Sequence, residues 1–164
     1  METVASTPID RTHLVISPLD EVADSELRHF LVDQQQQFWG ERDLSQEHDA
    51  FWFHQLASGG LVARYKNEIV GYLLGVVPKS GPAFIHLVAA RNDFRGQGIG
   101  RELYETFLTR ASDLGAEEVH ATTEPDNAGA ISFHSSLGFE GERIQDYDGP
   151  GRDKVLFTRT RKKY

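Results

Sequence analysis

Along the first ninety residues the apolar positions fall into short blocks separated by polar turns. Thr12–Ser17 (Thr-His-Leu-Val-Ile-Ser) predicts an opening strand. Glu21–Gln37 is polar with Val22, Leu27, Phe30 and Leu31 as an apolar stripe, the signature of a helix with one buried face. Gln46–Ala57 predicts a second helix, rich in aromatics at Phe51, Trp52 and Phe53 and closed by Gly59 and Gly60. Leu61–Tyr65 and Glu68–Val77 read as strands, with Lys66-Asn67 as a tight hairpin between them. A loop over Pro78–Pro82 leads into a further strand, Ala83–Ala90. Strands joined by such short loops predict an antiparallel meander. A doubly wound dinucleotide-binding domain would instead alternate strand and helix from the start.

The second half changes period. Ile99, Leu103, Phe107, Ala111 and Leu114 recur at helical spacing, and Gly115 supplies a stop. Glu118–Thr123 predicts a strand that crosses over to lie parallel to the one before the helix. Asn127–Leu137 predicts a short helix ended by Gly138. Phe139–Tyr147 and Lys154–Thr160 then predict a hairpin around the loop from Asp148 to Asp153. The basic tail Arg159–Lys163 reads as a solvated end, and residues 1–11 and 161–164 as frayed termini. No internal repeat or linker interrupts 1–164, so one α/β domain is expected.

Composition narrows the partners. A net charge of −8 argues against nucleic acid. The chain has no cysteine, so it has neither disulfides nor a thiolate nucleophile. Its seven histidines show no metal-binding spacing, and no metal is expected. The amino terminus lacks the pattern of a signal peptide and no apolar run suits a bilayer, so the expected setting is cytoplasmic, away from membranes.

The candidate chemistry lies between the predicted strand and helix at residues 88–101. Gly96, Gly98 and Gly100 let the chain turn sharply and approach another molecule closely. The first amides of the following helix lack intrahelical partners and carry partial positive charge, which suits phosphate. Arg91, Arg95 and Arg101 add formal charge in an otherwise acidic chain. A Walker loop would need a lysine, and none is present here. The dinucleotide fingerprint would need a glycine where Arg101 stands, although Glu117 or Glu118 lies at a plausible distance for its ribose acid.

Arg95-Gly96-Gln97-Gly98-Ile99-Gly100 resembles the acyl-coenzyme A signature of the GNAT family of N-acetyltransferases, Arg/Gln-x-x-Gly-x-Gly/Ala. The segment from Asn127 to Phe139 resembles the same family's Asn-x-x-Ala-x-x-Phe-Tyr-x-x-x-Gly-Phe. The two motifs follow in the family's order and spacing. The resemblance implies an α/β (α+β) acyl-CoA N-acyltransferase fold: a mixed central sheet with a V-shaped split, flanked by about four helices. It implies acetyl-CoA as donor and direct attack of a primary amine on the thioester. The pantetheine arm would run along Val88, Ala89 and Ala90, and the pyrophosphate would rest on amides from Gly96 to Arg101, including those of Gln97 and Ile99. Asn127 would contact the pantetheine, and it also suits a helix N-cap.

His134 stands where the family commonly has the tyrosine that protonates the departing thiolate. Imidazole titrates near neutral pH and suits that role, and a purely packed histidine is the alternative. The family's two glutamate positions fall on Phe84 and Thr122 here. This leaves His86 and His120, which share strand faces with them, and nearby Glu124 as candidate bases, although each taken singly suits a structural role better. The amide of Val88 would hold the oxyanion. Asp146, Asp148 and Asp153 mildly favour a cationic amine, with a solvated acidic loop as the slightly preferred alternative. A small-molecule acceptor is expected ahead of a protein. A homodimer is the family's habit. Two rivals remain at this point: a coenzyme A-binding module with impaired catalysis, and a dinucleotide-binding oxidoreductase.

Overall fold

A computed structural model describes residues 8–22, 26 and 58–161. Seven strands lie among the described residues: β1 (Leu14–Pro18), β2 (Leu61–Tyr65), β3 (Glu68–Val76), β4 (Ala83–Ala90), β5 (Glu118–Thr123), β6 (Glu140–Ile144) and β7 (Lys154–Thr160). They form one mixed sheet in the order β1-β2-β3-β4-β5-β7-β6. Two α-helices lie among the described residues, α1 (Ile99–Asp113) and α2 (Ala128–Ser136). The helices predicted over Glu21–Gln37 and Gln46–Ala57 fall almost wholly outside the described residues, as do Phe51, Trp52 and Phe53. Glu21 itself closes a 3₁₀ turn, Leu19–Glu21. The chain divides into two units, Met1–Val76 with Leu87–Phe107, and Val77–His86 with Leu108–Tyr164.

In the first unit β1 pairs antiparallel with β2, and β2 with β3, the last two being the strands of the predicted hairpin. Lys66 and Asn67 both take positive φ, 49° and 70°, as a two-residue turn of the primed type requires. The interior of β3 is buried without alternation, and Val62, Tyr72 and Leu74 pack with Leu19, Val22, Ile69 and Ala89. Continuous burial means that both faces of this strand are covered. Gly71 makes room on one of them. A Cβ there would lie 2.8 Å from Ile99 Cγ2 and 3.1 Å from the Ala89 carbonyl oxygen. The start of α1 thus rests directly on the backbone of β3. Ile99, Leu103, Tyr104 and Phe107 are all buried.

Leu114 corrects the predicted stripe. The helix ends at Asp113, Gly115 turns at φ 91°, and the Leu114 side chain is 62% exposed. Tyr104 takes a place in the buried face instead, and its burial raises the phenol pKa.

In the second unit, β4 and β5 run parallel, with Ala83, Phe84 and Ile85 opposite Val119, His120 and Ala121. β5 pairs antiparallel with β7, and β7 with β6, which gives the predicted closing hairpin. Asn127 caps α2 by accepting the Ala130 amide on Oδ1 at 3.1 Å. Gly138, at φ 82°, ends it. The Phe139 amide returns to the His134 carbonyl at 3.1 Å, a closing bond of the kind that satisfies the last carbonyls of a helix.

Candidate active site

The glycine turn leads from β4 to α1 through left-handed backbone. A 3₁₀ turn, Asn92–Phe94, leaves β4 and leads to Gly96 and Gly98, which take φ of 76° and 78°. Left-handed residues in a tight turn direct backbone amides into a shared concavity. The first α-helical bond nearby runs from the Glu102 amide to the Gly98 carbonyl at 3.0 Å. The amides ahead of Glu102 at the start of α1 therefore lie in the region that lacks intrahelical acceptors.

The charges around this turn differ from those read in the sequence. Arg91 grips Asp93 with two bonds, Nε to Oδ1 at 2.7 Å and Nη2 to Oδ2 at 3.0 Å, and lies 4.8 Å from the centre of the Phe94 ring. Burial pulls its pKa down, but the Asp93 and Glu68 carboxylates outweigh that and hold it above the usual arginine value. Arg91 thus fixes the exit from β4. Arg101 pairs with Glu105 one turn along α1 at 3.2 Å. A cation from far away in sequence reaches the turn. Arg11 donates to the Gln97 carbonyl at 2.5 Å and to Glu102 at 2.6 Å. Gln97 lies 86 positions from Arg11 in the chain, so no local pattern announces this contact.

Arg11 is held from behind. Asp10 accepts both the amide and the hydroxyl of Thr12, at 3.0 and 2.7 Å, which fixes the turn carrying Arg11. The Asp10 amide in turn donates to the Tyr65 hydroxyl at 3.2 Å. The Val88, Ala89 and Ala90 positions lie at the end of β4, beyond the parallel register, which runs over Ala83–Ile85.

The second unit carries the remaining candidates. His134 is buried on α2, with Nδ1 2.7 Å from the Ala130 carbonyl. Its ring stacks on Phe157 and meets Phe133 and Phe139 edge-on. Burial lowers its pKa below the ordinary histidine value, partly offset by the Ala130 bond. In the neutral ring Nδ1 carries the proton and donates it to Ala130, which makes Nε2 an acceptor. A general acid would need the imidazolium, the form that burial opposes.

His120 on β5 has its Nε2 2.9 Å from the Glu118 carboxylate, two residues away on the same strand face. His86 lies beside Phe84, with 6.5 Å between ring centres. Glu124 is bonded to Lys154 at 2.5 Å. Burial pulls the Lys154 pKa down, and the Glu124 and Asp148 carboxylates more than reverse this. Among the described residues no cluster of histidine and carboxylate side chains is arranged for a metal.

Glu124 and Lys154 line an open cleft of about 480 Å³, together with Asp126, Arg143, Asp148 and Arg152 among others. Both signs of charge face it. Arg143 pairs with Asp153 at 3.0 Å, and the Asp146 amide also donates to Asp153. These bonds keep the Asp153 carboxyl below the usual carboxylate range. Among the described residues Asp126 and Arg152 enter no ion pair. Glu124, Pro125 and Asp126 immediately precede Asn127 in the chain, so the cleft adjoins the capped start of α2.

The sequence model of the acetyltransferase (GNAT) family matches residues 25–139. L-methionine sulfoximine/L-methionine sulfone acetyltransferases of Pseudomonas paraeruginosa and Pseudomonas aeruginosa are 30% identical over 110 residues, covering 62% of this chain and 64% of theirs. The chain therefore spans less than two thirds of those relatives. N-alpha-acetyltransferase 30 of Schizosaccharomyces pombe is 28% identical over 129 residues, covering 71% of this chain and 84% of the relative. Naa50 of Arabidopsis thaliana, solved in complex with the bisubstrate analogue CoA-Ac-MVNAL, has the same fold. Its TM-score is 0.68 at 21% identity, over 91% of this chain and 99% of that one. The stretch from 25 to 139 contains both the glycine turn and the Asn127–Phe139 segment, and the chain belongs to the acetyltransferase (GNAT) family.

Proposed function

We propose that this protein transfers the acetyl group of acetyl-CoA to a primary amine. The observation that carries the reading is the glycine turn: two left-handed glycines lead from β4 into an amphipathic helix whose first amides lack intrahelical acceptors. The donor, when bound, supplies an activated acetyl thioester. Gly96 to Arg101, including Gln97, Ile99 and Gly100, would hold its pyrophosphate, with Arg95 and Arg101 adding charge. The backbone of Val88, Ala89 and Ala90 offers strand-like pairing to the pantetheine arm. Asn127, whose Oδ1 already caps α2, retains its side-chain NH₂ as a donor for the same arm.

Among the three histidines, His120 suits the base best. Glu118, 2.9 Å from its Nε2, fixes the orientation of the ring as it takes a proton from the amine. His134 fits a packing role beside the coenzyme, and water then protonates the thiolate. The cleft supports an amino-acid-like acceptor. Its carboxylates suit an ammonium group, and Arg152 suits a carboxylate.

Calorimetry with acetyl-CoA tests the donor assignment. Wild-type protein should bind acetyl-CoA and not NAD. A folded Gly98→Asp variant should lose binding, because it places a side chain and a negative charge on a left-handed residue where phosphate must rest. Unchanged affinity in that variant would refute the site. An impaired coenzyme A-binding module would instead show normal binding with no turnover across a panel of amines.

A further inference from the structure

We propose that Arg11 is a phosphate ligand of the coenzyme, held over the glycine turn by Glu102 until phosphate takes its place. The inference rests on the coenzyme reading above and adds to it a residue from outside both motifs.

Three observations converge on the guanidinium. It bonds the Gln97 carbonyl and the Glu102 carboxylate at once, at 2.5 and 2.6 Å. A Cβ on Gly98 would come within 2.6 Å of Arg11 Nη2, so the guanidinium lies against the bare Cα of the central glycine. Its base is anchored, because Asp10 caps the turn carrying it and the Asp10 amide reaches Tyr65.

The present partners are weak ones to give up. Arg11 and Glu102 are 55% and 42% exposed, and an ion pair open to water at both ends contributes little. A phosphate at the glycine turn offers more charge and a geometry matched to the planar fork of arginine. Glu102 also places a negative charge in the first turn of the helix expected to receive phosphate. Arg11 offsets that charge in the free protein. On phosphate binding it exchanges one acceptor for another with little movement of its anchored backbone.

Affinities for acetyl-CoA and for acetyl-pantetheine, which lacks the phosphates of the nucleotide portion, test this in wild-type, Arg11→Ala, Arg11→Lys and Glu102→Gln proteins. Thermal melts of each confirm folding. Arg11→Ala should weaken acetyl-CoA by about tenfold or more, the scale of a lost charge-assisted hydrogen bond, and leave acetyl-pantetheine unchanged. Arg11→Lys should recover part of the loss, since it restores charge without the fork. Glu102→Gln should tighten acetyl-CoA by removing the competing carboxylate. A mere structural brace predicts the reverse for Glu102→Gln, weaker binding in step with Arg11→Ala. Equal acetyl-CoA affinity in wild type and Arg11→Ala, or equal loss for both ligands, would overturn the role of Arg11 alone. Failure of wild-type protein to bind acetyl-CoA would instead remove the coenzyme reading and this inference with it.

Discussion

The imidazole of His134 lies flat on the ring of Phe157, with 4.2 Å between centroids and 2° between planes. This contact ties α2, which carries the second family motif, to the penultimate strand of the sheet order, β7. Phe157 is fully buried, and a Cβ on Gly141 of β6 would come within 3.1 Å of its ring. Phe157→Ala should therefore cost about 3–5 kcal/mol, the usual range for deleting a buried aromatic ring. Denaturant unfolding measures it. A cost below about 1 kcal/mol would show that the cluster around His134 is loosely packed.

The His134 pKa gives stability a predictable pH dependence. Its folded value lies below the unfolded value of about 6.5, chiefly through burial. Between those two values the unfolded chain binds the extra proton, so stability falls as pH drops from about 6.5 towards the folded pKa. His134→Phe should remove that part of the slope while leaving the slope from other groups. Melting curves of both proteins over that window measure the difference. The same variant tests the packing role. A lost general acid costs about 10²–10⁴-fold in the chemical step, whereas packing predicts similar single-turnover rates for His134, Phe and Tyr at saturating acetyl-CoA.

Gly71→Ala should destabilise the protein by about 1–3 kcal/mol, the cost of overpacking a close contact. The new methyl would press on Ile99 and on the Ala89 carbonyl, 2.8 and 3.1 Å away. Because Ile99 opens α1, displacement there also moves the amides of the glycine turn. The expected accompaniment is weaker acetyl-CoA binding, measured by calorimetry. Wild-type stability in this variant would contradict the close seating of α1 on β3.

Much of this architecture is legible in the sequence because its signals are local. Lys66-Asn67 specifies its own hairpin, and β2, β4 and β5 begin and end where the apolar blocks do. Asn127 and Gly138 bracket α2 as cap and stop. Leu114 misleads because helical spacing persists one residue past the last helical turn. The charges are misread for a different reason. Arg91 looks like a loop cation, yet Asp93 two residues on captures it. Arg11 carries no local sign of its role, because its partner Gln97 lies 86 residues away and only the fold brings them together. The Phe157 partner of His134 is equally non-local.

The cleft makes a prediction about acceptor choice. If Arg152 receives a carboxylate, Arg152→Ala should raise KM for an amino acid by about tenfold or more, the loss expected for a charge-assisted bond. It should leave kcat nearly unchanged, as expected for an interaction equal in the ground and transition states. A matching amine without the carboxylate should be indifferent to the substitution. Steady-state kinetics with the two acceptors provide the comparison. Equal KM for the amino acid in both proteins would remove Arg152 from the acceptor site.

Acetyl transfer itself is followed by isotope tracing. The protein is incubated with acetyl-CoA labelled in the acetyl group and with a panel of amino acids and peptides, and mass spectrometry follows the label. Label should appear on an acceptor amine, with one free coenzyme thiol released per acetylated product, and both should be lost in Gly98→Asp. Thiol release no faster than in buffer, with the label remaining on the coenzyme despite tight binding, would contradict acetyl transfer.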